Sequence, residues 1–579
     1  MSDTSPAIVP QRAVRRIPRL ALWLFGLAYV LPGMVGREPW KGGEIEAFGM
    51  MLALAEGQTG FWQLQHWGLG ADLQALLPYW IGAGAIMLKP EWMSAALAAR
   101  LPFTALLGLT LWLTWRASYH LAREPQAQPV AFAFGGEASP KDYACVLADA
   151  SLLALIASLG LARLSHEAGV WLVQLAGVSL VYAGLAAQPR RPRLAALWVP
   201  VGALGLTLSG APSFAVMLCG LAALLRYLEP PAPESTSNHH GTPQALFLCA
   251  CAALCAAVAS ELSLWQWRLE LPPATWAHWR DMGRLLIWFT WPVWPLVLWT
   301  LWRWRSHWLR QRVSRHLGLP LGLVLLVVLT AFSTPAPQRT LLLALPALAT
   351  LGAFALPTLR RSMAALIDWF TLLFFSGCAL IIWVMWVAMQ TGWPPTPARN
   401  VRRLVPEFEA VWQTPALWVA ALATLAWLGL VFWRVGRHPP VLWKSLVLPA
   451  GGAALCWTLL MTLWLPLLDH ALSYAPWARK VRAVMQTHSA QPPRCVWSLN
   501  LQAGQMIAFH YHAGLSLHTV PAKPKEAGPV CEWALAAPSD TPPPQLASLP
   551  GQGAWQRVQT VRRPGDKNER LVLYHRPTP

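Results

Sequence analysis

Charge is what this chain has least of. Only 12% of its 579 residues are Asp, Glu, Lys or Arg, against about 25% in an ordinary soluble protein. That shortage excludes a disordered chain and argues against a soluble multidomain enzyme. Acidic residues are the scarcer sign, 26 against 45 basic ones, for a net charge of +19. Cysteine is sparse as well: nine residues make no disulfide framework. The sequence lacks a Walker loop, a dinucleotide fingerprint and metal-ligand spacing, which removes the usual signatures of nucleotide-driven transport and of a metal cofactor. It also lacks an internal repeat. What it does have is 55% hydrophobic residues and 36 tryptophans. Tryptophan suits a bilayer interface. In this setting the basic excess points to loops facing anionic lipid, and not to nucleic acid.

A span needs about 20 mostly apolar residues. Candidate runs lie at 20–35, 95–117, 144–163, 169–187, 194–208, 211–228, 243–262, 284–302, 317–333, 340–357, 363–389, 415–433 and 446–467, about 13 spans in all. Alternate loops carry the basic clusters expected of a cytoplasmic side: Arg190, Arg191 and Arg193; Arg303, Arg305, Arg310, Arg312 and Arg315; Arg360 and Arg361; Arg434, Arg437 and Lys444. The exception is an outer segment with Arg399, Arg402 and Arg403. The first run follows a basic stretch like a signal peptide, but no small-x-small cleavage site follows it, so it reads as an uncleaved anchor. The expected organisation is a cytoplasmic N-terminus (1–19), a transmembrane domain (20–467) with its first outer loop at 36–94, and a periplasmic C-terminal domain (468–579). That places the chain, multi-pass, in a bacterial inner membrane.

The tail changes composition. Residues 494–501, Val530–Leu535 and Leu571–Tyr574 read as short strands of a small α/β or mostly β domain. Cys495 and Cys531 could pair in an oxidising compartment or remain two buried thiols. His510 and His512 alternate as on one strand, more simply a structural pair than metal ligands. Asp368 and His470 sit in or beside spans, where an ionisable residue is a functional candidate. His166 and Glu167 fall at an outer turn, either as a plain turn or as a contact to a ligand.

The first outer loop is richest in chemistry. It reads Arg37-Glu38-Pro39-Trp40-Lys41-Gly42-Gly43-Glu44-Ile45-Glu46, with a helix expected to begin near Glu44. A carboxylate there is favoured by the helix dipole. Beyond it come Asp72, Pro78-Tyr79-Trp80 and Ala99-Arg100-Leu101-Pro102, then Leu206-Thr207-Leu208-Ser209-Gly210-Ala211-Pro212 and Ser333-Thr334-Pro335-Ala336-Pro337-Gln338-Arg339-Thr340. In order and spacing these segments resemble the integral-membrane glycosyltransferases of the GT-C superfamily. The likeness is to glycosyltransferase family 39, which includes protein O-mannosyltransferases and lipid A aminoarabinose transferases. It covers about residues 15–470.

The resemblance implies an α-helical polytopic membrane protein with a small extracytoplasmic α/β domain. It implies transfer of a sugar from a polyprenyl-phosphate donor to a lipid, glycan or protein acceptor at the outer face, with no cofactor indicated. On it, Glu44, Glu46 and Asp72 are the catalytic carboxylates. Arg339, which matches a family lysine, binds the donor phosphate, with Arg100 and Arg403 as further candidates. Three charged positions depart from the family pattern: its catalytic Asp falls on Gly43, its second acid near Leu73 beside Asp72, and another lysine on Ser209. Two alternatives follow, a catalytically altered subunit that binds lipid-linked sugar, and a transporter or flippase.

Overall fold

The structure is a computed structural model. It describes residues 5–65, 75–229, 241–265, 273, 275–305, 314–405, 407–436, 441–488, 493, 495–519, 530–538, 543–549, 554–566 and 568–576. Asp72 and Leu73, and the loop arginines Arg310, Arg312 and Arg437, lie outside the described residues.

The chain folds as a helical bundle followed by a small sheet. The bundle begins with α1 (Arg19–Val30), α2 (Gly43–Ala55), α3 (Leu77–Met87), α4 (Ala95–Ala122), α5 (Pro140–Ala157) and α6 (Leu159–Leu164). It continues with α7 (Val170–Ala187), α8 (Pro192–Leu208), α9 (Pro212–Leu228), α10 (Gly241–Glu261), α11 (Trp276–Phe289) and α12 (Val293–Arg303). Then come α13 (Arg315–Phe332), the short α14 (Pro337–Leu341), α15 (Leu345–Ala353), α16 (Arg361–Thr391), α17 (Pro395–Leu404), α18 (Thr414–Val435) and α19 (Lys444–Leu463). Two further helices, α20 (Leu465–Leu472) and α21 (Ala475–His488), lead to the sheet. Hydroxyl caps set several starts: Ser94 and Ser139 each accept a backbone N–H of the first turn, which satisfies a donor the helix cannot.

All 13 apolar runs fall on helices. Among the described residues, eight helices or helix groups are long and apolar enough to cross a membrane. The run at 284–302 is not one straight span, because α11 and α12 meet at 92° across a short break. The remaining four lie on α1, α5, α8 and α9. Helix α1 has 12 residues, and α8 and α9 have 17 each. Helix α5 carries Lys141, Asp142 and Asp149 along its length. Asp368 finds a partner on a neighbouring helix, hydrogen-bonded by Arg434. That pairing is how a charge in an apolar setting is tolerated.

The bundle has two chemically different ends. Helices α7, α9 and α13 all run between them. At one end Arg315 binds Glu229, Gln188 and the Leu185 carbonyl, and Arg190 binds Glu124. At the other end lie the N-termini of α7 and α9 and the C-terminus of α13, where the outer-loop helix α2 also sits.

The tail forms a five-stranded sheet of order β2-β1-β3-β5-β4. Its strands are β1 (Val496–Leu499), β2 (Leu517–Thr519), β3 (Trp533–Ala536), β4 (Gln556–Arg562) and β5 (Arg570–His575). Strand β1 pairs in parallel with β2 and β3, and β5 runs antiparallel to β3 and β4. The crossover from β1 to β2 is α22 (Ala503–Ala513), which carries His510 and His512. The alternation read as a strand is therefore helical. A reciprocal Gln502–Gln505 capping box starts this helix, and Gly514 in the left-handed region ends it. Helix α22 lies directly on α2. A Cβ on Gly49 would come within 2.3 Å of Ile507, so only glycine permits that approach without a shift. Lys41 adds ion pairs to Asp566 at 3.3 Å and Glu569 at 3.8 Å.

Cys495 and Cys531 form a disulfide that closes a separation of 36 residues. Replacing both by serine is expected to destabilise the sheet domain by about 4 kcal/mol in the chain-entropy treatment. Limited proteolysis of the full-length protein across a denaturant series checks this: the tail should be cut at lower denaturant in the double variant.

Candidate functional site

The outer loop is built around one buried carboxylate. Gly42 adopts φ 96°, a left-handed conformation open to glycine, and this turns the chain into the first turn of α2. Glu44 then points inward. Arg37 grips it with both terminal nitrogens, at 2.5 and 2.9 Å. Arg100 of α4 adds Nε at 3.3 Å, and the Trp40 backbone N–H donates at 3.2 Å. Arg37 also donates to the His166 carbonyl at 2.8 Å, and Arg100 to the Arg37 carbonyl at 2.5 Å. Burial opposes the charge on Glu44, but the two guanidinium groups and their hydrogen bonds outweigh it and hold the carboxyl below its ordinary pKa. An ion so held is a poor proton acceptor. Glu44 thus edges the cavity described next, but its oxygens are committed to the loop.

Beside it lies a cavity of about 650 Å³ between α2, α7, α9, α13 and α14. Its polar lining includes Glu167, Gln174, Ser213, Thr334, Arg339 and Thr340, and its apolar lining includes Phe214, Val216, Met217, Leu326 and Leu329. Leu329, on α13, is 66% and Met217, on α9, 42% exposed, so the apolar lining is not sealed by protein. Gln174 donates to the Ser209 carbonyl at 2.8 Å, which fixes the loop before α9 against α7. Ser209 puts no charge into the wall.

Arg339 is the one basic side chain in the described wall. It projects from α14, 3.8 Å from Glu167 and with its guanidinium 5.9 Å from the Trp171 ring centre. Glu167 is also 3.7 Å from Arg163. Burial raises the Glu167 pKa, with Arg339 pulling the other way. Burial likewise raises that of half-buried Glu46, again against Arg339. Raised carboxylates are the better bases.

The structure therefore sorts the sequence-derived candidates. It brings Arg339 into the cavity and Glu46 into the electrostatic reach of that arginine. Arg100 goes instead into the Glu44 cluster, away from the wall. Arg403 sits exposed on α17, and neither it nor Arg399 or Arg402 lines the cavity. Asp72 lies outside the described residues. Glu167 gains importance. Its neighbour His166 is structural, its ring between the carbonyls of Ala162 and Tyr29. No three His, Cys, Asp or Glu side chains converge as a metal site would require among the described residues. Trp171 and Gln174 had no signal in the sequence, since both read as ordinary span residues.

No protein-family model and no curated protein matches the sequence. Solved structures do. The crystal structure of ArnT from Cupriavidus metallidurans bound to undecaprenyl phosphate superposes with a TM-score of 0.57 at 15% identity, covering 96% of this chain and 97% of that one. The apo state of the same protein gives 0.57 at 14% identity, covering 96% of each chain. The chain shares the polytopic helical fold of these structures. Within that fold the likeness extends through the sheet domain, since it spans nearly the whole of both chains.

Substituting Glu44→Gln should leave two buried arginines without a countercharge, a loss of about 3–5 kcal/mol. Thermal unfolding of the purified protein measures it. Because the Glu44 pKa is lowered by folding, its contribution is complete above the unfolded-state pKa and disappears as pH falls through the folded one. The difference between wild type and E44Q should shrink on that acid side.

Proposed function

We propose that this chain is a multi-pass membrane glycosyltransferase that takes a sugar from a polyprenyl-phosphate donor. The observation that carries this reading is the cavity, whose described wall holds a single cation, Arg339, beside Glu167, together with exposed apolar side chains on α9 and α13. A lipid phosphate has that same division. The ArnT structure of this fold holds undecaprenyl phosphate, which supports the choice of ligand class. The arginine-rich end of the bundle is the cytoplasmic one by the positive-inside rule, so the cavity and the sheet domain face outward, in a bacterial cell into the periplasm.

In this reading Arg339 binds the phosphate and stabilises the charge that grows on it as the glycosidic bond breaks. The prenyl tail leaves between Met217 and Leu329 into lipid. Glu167, with its raised pKa, accepts the proton of the acceptor hydroxyl as the new bond forms. Glu46 is the second carboxylate within reach of the same cation. Glu44 holds the loop in place.

A second reading has its own observation. Position 43 has no carboxylate and Glu44 is sealed in ion pairs, which suits a subunit that binds lipid-linked sugar without transferring it.

The two readings separate on two variants. Arg339→Ala should weaken binding of undecaprenyl phosphate about 10- to 100-fold, the value of a charged hydrogen bond. Glu167→Gln should leave that binding intact and slow release of polyprenyl phosphate from lipid-linked sugars by about 100-fold or more. The acid limb of the wild-type rate should lie above an ordinary glutamate pKa. Unchanged release by E167Q would remove Glu167 from the mechanism, and absence of release by the wild type with intact lipid binding would favour the binding subunit.

A further inference from the structure

Gly42 and Gly43 are adjacent, but they are glycines for different reasons. Gly42 needs its backbone: φ is 96°, and a Cβ there would meet nothing within 4 Å. Gly43 is the first residue of a regular helix, where any residue has the right backbone. Its requirement is space. A Cβ on Gly43 would lie 2.9 Å from Nη1, 3.1 Å from Nη2 and 3.4 Å from Cζ of Arg339. The edge of the guanidinium that carries its two terminal nitrogens therefore faces the bare start of α2.

That seat has an electrostatic consequence. Glu44 is consumed by Arg37 and Arg100, so it does not draw Arg339 into a tight pair. The carboxylate that does face Arg339 stays at 3.8 Å, beyond ordinary hydrogen-bond length. Arg339 thus sits in the cavity wall with its side chain 29% exposed.

We propose that Gly43 is the positioning residue for the anion site: its missing side chain lets Arg339 lie in the cavity wall, with its charge available to a phosphate ester. A larger side chain at 43 displaces the guanidinium from this seat, and a carboxylate at 43 pairs with it and competes with a phosphate. Position 43 then tunes how firmly this cavity holds an anionic headgroup. This rests on the reading of Arg339 as the phosphate-side cation.

The test is a double-mutant cycle on the full-length protein in nanodiscs, with undecaprenyl phosphate as the probe and thermal unfolding as a check of the fold. Gly43→Asp should weaken binding about tenfold or more, and Gly43→Ala should weaken it by about two- to fivefold. Both losses should vanish in the Arg339→Ala background, because removing the shared partner removes the coupling. A purely structural role for Gly43 would add its loss to that of R339A. Wild-type binding by G43D, or a loss that persists beside R339A, overturns the proposal. If G43D does not fold, G43A alone and combined with R339A answers the same question. Binding by R339A equal to wild type would sink the phosphate role itself. Weak binding by R339A with full binding by G43D would sink only the role of Gly43.

Discussion

The site depends on a charge that has nowhere else to go. Glu44, Arg37 and Arg100 are all buried, and an unpaired ion in such a place is strongly unfavourable. The three must therefore meet. Their meeting joins the loop after α1, the first turn of α2, the second turn of α4 and, through the His166 carbonyl, the turn before α7. Arg37 also stacks over Trp40 at 4.4 Å, and Trp40 donates from its indole to Asp469 at the far end of the bundle sequence. One ion cluster thus fixes the direction of α2. With α2 fixed, Gly43 faces Arg339 and Ala47 faces the cavity.

The cavity is the complement of that rigid loop. Its wall on the α2 side is held by charges, and its wall on the α9–α13 side by apolar packing that any lipid tail could replace. A site with one stiff polar wall and one greasy, adjustable wall suits a ligand with a small charged head and a long flexible tail. The sheet domain braces α2 from outside the cavity. Helix α22 closes over α2 at Gly49, while Lys41, Asp566 and Glu569 tie the loop to the sheet.

Much of this was legible in the amino-acid order. Hydropathy is a local property, so each apolar run announced its helix, and the strands at β1, β3 and β5 came through as apolar runs between turn residues. The start of α2 was also plain from Gly42-Gly43-Glu44. Alternation failed at His510 and His512, because two residues with one between them also occur on a helix, and the capping box and Gly514 settled it. The broken run at α11–α12 shows the same limit, since composition does not report direction.

The residues of the site were a different matter. Glu44 and Glu167 are both glutamates at a helix start or turn, and their neighbours in the chain do not tell their roles apart. The tertiary structure does. Arg37 and Arg100 neutralise Glu44, whereas Glu167 faces a cavity with Arg339 opposite. Arg339 was the first candidate as cation and Arg100 a further one, and the fold sent Arg100 into a sealed ion cluster and Arg339 to an open wall. The order of residues was enough for a greasy helical bundle, its basic end and its small C-terminal sheet domain, because burial in lipid depends on apolar area that accumulates residue by residue. Which charges are spent on holding the fold and which are left to act on a ligand is set by pairings between distant segments, and only the folded chain brings those segments within a few ångströms.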